Sequence, residues 1–184
     1  MRLFTGIDLP ENIRERLERL LIHLRPAAHL KWSPVYNLHL TLKFIGEWPE
    51  EKLAQLEAAL RSIPARDPIP TEVKGLGWYP NANHPRVFWV GVQAGELLPA
   101  LVRDTEAALE PLGIAKEERA FAAHLTLARI KDPVPLQPLR NAIAQLESLE
   151  FGSFLVDRFY LYRSQPGAAG SIYTKLSEYP FQKK

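Results

Sequence analysis

The chain has 184 residues, 46% of them hydrophobic and 24% charged, which suits one large domain or two small lobes around a real core. A formal net charge of +2 does not by itself indicate nucleic acid, though it is compatible with an anionic substrate if the charge is locally concentrated. The absence of cysteine excludes disulfides, thiolate metal sites and a cysteine nucleophile, and no apolar run reaches the ~18 residues of a membrane span. The opening MRLFTGID is too short and too soon charged for a signal peptide. The expected location is the cytoplasm, and the expected state a monomer.

The first element is a strand over Arg2–Asp8, ended by Leu9-Pro10. Pro10 suits the first turn of a helix, and Ile13, Leu17, Leu20, Leu21 and Leu24 line one helical face behind it. Residues 26–37 read as a loop. Leu38–Ile45 alternates cleanly, with Leu38, Leu40, Leu42 and Phe44 on one face and His39, Thr41 and Lys43 on the other. A helix over Pro49–Ser62 follows, burying Leu53, Leu56 and Leu60. A strand near Glu72–Trp78, a proline-bounded turn to Pro85 and a strand over Arg86–Val92 come next. Leu97–Leu112 is a helix stopped by Gly113, and Ala123–Ile130 a second histidine strand. Leu136–Leu149 is a helix, and Phe154–Arg163 and Ser171–Tyr179 are closing strands.

The two halves align. HLTL stands at residues 39–42 and again at 124–127. The spacing from Arg2 to His39 and from Arg86 to His124 is nearly equal, 37 and 38 residues, and each interval holds one helix. The chain reads as a single domain over 1–184 made of two pseudo-repeats, about 2–80 and 86–179. The fold class expected is α+β: two pseudo-symmetric lobes, each an antiparallel sheet with helices on its outer face, and a cleft between them.

Within each block the histidine and threonine share a face while the leucines turn to a core. Each lobe thus offers an imidazole and a hydroxyl side by side on a rigid strand. Two imidazoles across a cleft suit acid–base chemistry, because an unperturbed histidine pKa of about 6.5 allows both protonation forms near neutrality. A phosphodiester fits, with attacking and leaving oxygens on opposite sides and two further oxygens for the hydroxyls. A packing motif would repeat the leucines and leave the outward positions free to drift. No third ligand lies beside either histidine for a metal site, and no serine-nucleophile or nucleotide-phosphate motif occurs. His23, His29 and His84 lack repeat partners and read as surface residues.

These residues resemble the two-histidine phosphoesterase superfamily, defined by paired His-x-Thr motifs, and within it the RNA 2′,3′-cyclic phosphodiesterases, also called 2′-5′ RNA ligases. The resemblance covers nearly the whole chain, through RLFTGIDLP, KWSPVYNLHLTLKFIGE, PRVFWVGV, HLTLARI and VDRFYLYRSQPGAAGSIYTKLSEYPF. Ala123 stands where many relatives have proline. The resemblance implies hydrolysis of RNA or nucleoside 2′,3′-cyclic phosphates to 2′-phosphates without metal or other cofactor, with ATP-independent 2′-5′ ligation as a related reaction. It implies His39 as proton donor, His124 as proton acceptor, and Thr41 and Thr126 as phosphate-binding residues; the near-symmetric motifs do not themselves order the histidines. In the family an arginine five residues after the second histidine is associated with the phosphate, which here is Arg129. Strict alternation puts Arg129 opposite His124, so that role needs a bulge or bend.

Lys43 shares the face of His39 and is a candidate source of positive potential. Arg163, Tyr173 and Lys175 are candidate RNA contacts on the closing strands. Trp32, Tyr36, Phe44 and Trp89 are candidate stacking groups, with core packing the expected role of Phe44 and Trp89. The partner expected is an RNA end or nucleotide carrying a 2′,3′-cyclic phosphate. A non-catalytic RNA-end-binding module, or a two-histidine phosphodiesterase acting on another 2′-5′ or cyclic phosphate, are the alternatives.

Overall fold

The computed structural model describes residues 1–183. Two antiparallel sheets are built from nine strands: β1 (Arg2–Ile7), β2 (Lys31–Trp32), β3 (Leu40–Glu47), β4 (Ile69–Tyr79), β5 (Val87–Gln93), β6 (His124–Arg129), β7 (Glu150–Val156), β8 (Arg158–Gln165) and β9 (Ile172–Pro180). The four α-helices are α1 (Glu11–Leu24), α2 (Leu53–Arg61), α3 (Leu97–Leu109) and α4 (Gln137–Ala144). The fold is α+β with two pseudo-symmetric lobes. The first sheet runs β3-β1-β8-β9 and the second β2-β6-β5-β4-β7. Leaving out the two-residue β2, each sheet has the same plan: a histidine strand at one side, then an arginine-led strand, then two further strands.

Neither sheet is drawn from one half of the sequence. β4 of the first repeat lies in the second sheet, and β8 and β9 complete the first. The helices cross over in the same way. α3 reaches β3 of the first sheet, while α1 packs on β7 of the second. One continuous core results, holding Leu3, Ile7, Leu40 and Leu42 of the first sheet together with Val73, Phe88, Val90, Leu125 and Leu127 of the second. The α1 face predicted from periodicity (Ile13, Leu17, Leu20, Leu21 and Leu24) is buried throughout. Each such side chain contributes about 1.5–3 kcal/mol by leaving water.

Several boundaries differ from the sequence reading: the strand expected from Leu38 begins at Leu40, so His39 stands one residue before β3, and the helix expected from Pro49 begins as α-helix at Leu53. The loop 26–37 contains β2. The helix expected to reach Leu149 stops at Ala144, and the strand expected over Phe154–Arg163 is two strands separated at Asp157. Gly113 ends the α3 region with φ 84, a left-handed conformation that glycine adopts without a Cβ clash.

Candidate active site

β3 and β6 are the strands on which the two sheets approach each other, with Cα atoms within 8 Å. Each is next to an arginine-led strand, β1 or β5, and each ladder slips by one residue at the same point of the motif. Along β1, Gly6 pairs with Thr41 but Thr5 pairs with Lys43, so Leu42 is extra. Along β5, Trp89 pairs with Thr126 but Phe88 pairs with Ala128, so Leu127 is extra. Both copies of HLTL therefore carry a β-bulge at their second leucine. A bulge shifts the alternation by one residue. From Leu40 and Leu125 onward the burial runs in step: Leu42 and Leu127 buried, Lys43 and Ala128 buried, Phe44 and Arg129 exposed.

That slip corrects two expectations and supplies what a third required. Lys43 does not face the cleft with His39. It turns inward, donates to the Ala115 carbonyl oxygen at 2.6 Å and pairs with Glu106 at 3.0 Å. Phe44 is not a core residue: it is 44% exposed, with the Arg2 guanidinium 5.0 Å from its ring centroid. Arg129 returns to the face of His124 and Thr126, because the bulge lies between them.

The two histidines are anchored alike. His39 Nδ1 is 2.7 Å from the Asn37 carbonyl oxygen, and His124 Nδ1 is 2.9 Å from the Ala122 carbonyl oxygen. A carbonyl only accepts, so each Nδ1 carries the proton and each neutral ring presents the lone pair of Nε2. On His39 that nitrogen is 3.0 Å from Thr41 Oγ1, whose hydroxyl donates to it while the ring is neutral. Thr126 is half-buried beside Trp89, the residue it pairs with.

The surroundings of the two rings differ. His39 is enclosed by aromatic rings: Phe4 with centroids 4.8 Å apart, and Tyr173 edge-on at 4.9 Å. Tyr162 lies 5.9 Å from His39 and stacks on Phe4. Burial lowers the His39 pKa, although the Asn37 carbonyl and the Asp8 carboxylate oppose the shift. His124 is exposed, with Trp89 as its aromatic neighbour at 6.3 Å.

Sequence reasoning missed the groups behind His39. Asp8 is paired with Arg14 and Lys175. Burial disfavours the Asp8 carboxylate, but these two cations outweigh it and hold its pKa below the usual range. Arg14 also donates to the Val35 carbonyl at 2.7 Å, which ties α1 to the segment leading into His39. Burial pushes the Tyr162 hydroxyl above the ordinary phenol range, keeping it protonated. These residues come from the end of β1, from α1, β8 and β9, and only the tertiary fold brings them to His39.

The other candidates divide. Tyr173 lies edge-on to His39, while Lys175 pairs with Asp8 and lies 4.2 Å from the Tyr160 ring centroid. Arg163 pairs with Leu3, one residue from the Phe4–Tyr162 pair, and so takes the opposite face of β8. Trp32 is a packing residue, its indole N–H donating to the Ala28 carbonyl at 3.1 Å and its ring edge-on to Phe88. Tyr36 is 70% exposed, in the 3-10 turn Val35–Asn37 that precedes His39. Trp89 is half-buried on the His124 face rather than in the core, lying over Gly77, where a Cβ would overlap the indole. His23, His29 and His84 are exposed. No helix is long and apolar enough to cross a membrane among the described residues.

The two imidazoles, one just before β3 and one opening β6, thus share an Nδ1 anchor and a threonine two residues on. The sequence matches the LigT-like phosphoesterase family over residues 7–89 and again over 90–173. It is 34% identical to a Methanothermobacter thermautotrophicus protein named RNA 2′,3′-cyclic phosphodiesterase, over 96% of either chain. A Thermus thermophilus protein of the same name is also 34% identical, over 97% of this chain and 89% of its own. Among solved structures, TT0787 of Thermus thermophilus superimposes with a TM-score of 0.83 at 32% identity, covering 98% of both chains. Escherichia coli LigT, crystallised with 3′-AMP, gives a TM-score of 0.76 at 26% identity, covering 99% of this chain and 98% of that one. With both halves matched and the similarity running over the full length, this chain belongs to the LigT-like phosphoesterase family.

Proposed function

We propose that this chain is an RNA 2′,3′-cyclic phosphodiesterase that opens the cyclic phosphate to a 2′-phosphate by paired histidine acid–base catalysis. The observation that carries the reading is the duplicated anchor: two histidines at the facing strands β3 and β6, each held through Nδ1 by the carbonyl two residues earlier, so that each neutral ring presents the lone pair of Nε2. Relatives named for this activity support the substrate.

In this mechanism the cyclic phosphate sits between the rings. His124 Nε2 accepts a proton from water as the water oxygen bonds to phosphorus. The bond from phosphorus to the 3′-oxygen breaks, and His39 Nε2–H protonates that oxygen. The products are a 2′-phosphate and a 3′-hydroxyl. Burial leaves His39 neutral at rest, so its donor role requires the substrate's negative charge to favour the imidazolium. Thr41 and Thr126 hold non-bridging oxygens, and Arg129 adds a cation on the His124 side. Between them the imidazoles perform both proton transfers, so the mechanism uses no metal. A 5′-hydroxyl of a second RNA in the place of water gives a 2′-5′ linkage, driven by the strain of the cyclic phosphate and independent of ATP. Phe44, exposed on the His39 face, is the platform for a base.

The test is incubation with a 2′,3′-cyclic nucleotide in EDTA. The expected product is the 2′-phosphate, and His39→Ala and His124→Ala each lower the rate by about 10²–10⁴-fold with the fold retained by circular dichroism. A 3′-phosphate product, dependence on added metal, or full activity in either variant defeats the mechanism.

A further inference from the structure

β2 breaks the symmetry of the two lobes. In the first sheet the histidine strand β3 is the edge. In the second sheet the edge is β2, a two-residue strand delivered from the first half of the chain to lie beside β6. Besides the ladder itself, two contacts pin it there, and a bond within its own segment holds the indole. The Trp32 indole donates to Ala28 and packs on Phe88, and the Ser33 N–H donates at 2.8 Å to the carbonyl of Leu127, the bulge residue itself. The same strand therefore grips the backbone irregularity that turns Arg129 toward His124.

This attachment places Lys31 directly opposite Arg129 in the ladder. Residues paired across a ladder share a face, about 5 Å apart. Lys131 follows Arg129 by two residues, with buried Ile130 between them and the Ile130 N–H still bonded to the Arg86 carbonyl. The extended alternation thus continues, and Lys131 lies on the Arg129 side about 7 Å along. Lys31, Arg129 and Lys131 are all exposed. None of the three is in an ion pair among the described residues, and Asp132, the next residue in the chain, reaches none of them. The charge of Lys131 foremost, with Arg129 adding to it, holds the Lys31 pKa below the ordinary lysine value. Three like charges gathered on a strand edge without a counter-ion repel one another, and an anion between them relieves that repulsion.

We infer that Lys31 and Lys131, extending from Arg129, form a second phosphate subsite that takes the backbone phosphodiester on the 5′ side of the terminal nucleotide. This rests on the phosphodiesterase reading and narrows its substrate to an RNA strand rather than a free nucleotide. The direction follows from the substrate, since a strand ending in a 2′,3′-cyclic phosphate carries its next phosphate only on the 5′ side. At the matching position of the first lobe stands Phe44, an aromatic surface, and at Arg129 a cation, so the two rims of the cleft differ in what they offer: a ring on one side and a row of positive charge on the other.

The experiment compares kcat/KM for a 2′,3′-cyclic mononucleotide bearing a 5′-hydroxyl with that for a trinucleotide ending in the same cyclic phosphate. Wild-type protein and the Lys31→Gln/Lys131→Gln variant are measured over a series of salt concentrations. The wild type prefers the trinucleotide. In the variant the ratio of trinucleotide to mononucleotide kcat/KM falls about tenfold, and the dependence of log kcat/KM on log salt flattens by about 0.7 for each phosphate no longer neutralised. Lys31→Arg/Lys131→Arg keeps the preference. A trinucleotide with uncharged methylphosphonate linkages, turned over by wild-type protein, behaves as the mononucleotide does. Equal loss on both substrates, or an unchanged ratio, overturns the subsite while leaving the phosphodiesterase reading intact. Failure of wild-type protein to cleave either substrate overturns that reading and the subsite with it.

Discussion

Leu42 and Leu127 occupy the same structural position: each is the unpaired residue of a bulge that directly follows the threonine of an HLTL block. The consequence is a matched exchange of faces. The residue after each leucine is buried and the next is exposed, so Lys43 and Ala128 go inward and Phe44 and Arg129 come out. The motif is thus longer than its four shared letters, because the bulge also fixes what stands two residues further on.

Phe44→Ala tests that exchange. A core phenylalanine lost to alanine costs about 3–5 kcal/mol. Phe44 is exposed and touches the Arg2 guanidinium, so its loss costs less than about 1 kcal/mol in denaturant unfolding. If it stacks a base, KM for a cyclic nucleotide rises by an amount corresponding to about 1–3 kcal/mol. A core-sized stability loss would refute the exposed placement.

Lys43 and Glu106 form a pair whose side chains are 1% and 10% exposed. Glu106 Oε1 also accepts from the Glu117 N–H at 3.3 Å, and Lys43 holds the Ala115 carbonyl. The pair therefore ties the strand of His39 to the segment that leads into His124. Lys43→Met strands the Glu106 carboxylate and lowers unfolding free energy by about 3–5 kcal/mol. The double variant Lys43→Met/Glu106→Leu recovers most of that loss, since two apolar side chains need no partner. Denaturant midpoints of the three proteins decide it, and an unstable double variant would show that the carbonyl contact matters more than the charge pair.

The lowered His39 pKa gives a pH dependence of definite sign. An unfolded histidine, near 6.5, takes up its proton before the half-buried His39 does. The unfolded state then binds more protons, so the contribution of His39 to stability is full above about pH 6.5 and is lost as pH falls through the folded pKa. Wild-type protein loses more stability between about pH 7.5 and 5 than His39→Asn does. By proton NMR the His39 ring titrates below about 6.5 in the free protein, and inorganic phosphate raises its midpoint, because an anion favours the imidazolium. A free-protein midpoint at or above about 6.5 would contradict the half-buried, neutral ring.

Gly77 sets the position of Trp89. A Cβ at residue 77 would overlap the indole Cζ2 and Cη2 and stand only 2.6 Å from Cε2, so Gly77→Ala moves the ring off the strand beside His124. The expected readouts are a changed near-ultraviolet circular dichroism spectrum and a stability loss of about 1–3 kcal/mol. Activity falls while the His39 resonance keeps its midpoint. Unchanged aromatic dichroism would mean that the indole does not rest on Gly77.

The amino-acid sequence by itself determined the repeat, the helical faces and the His-x-Thr pairs. All of these are local: a periodicity of 2 or 3.6 and a recurrence of residues can be read along the chain. It also determined which side of each strand the histidine shares with its threonine, since no irregularity falls between them. Tertiary structure alone decided what lies beyond Leu42 and Leu127. A bulge is a mismatch between two strands, and neither strand records it. The same holds for Asp8, Arg14 and Tyr162 around His39, for Arg163 turned to the opposite face, and for Lys31 beside Arg129. Each depends on which distant strand becomes a neighbour, and here the two halves exchange β2, β4, β8 and β9 across the sheets, so position in the repeat does not disclose the lobe in which a side chain ends.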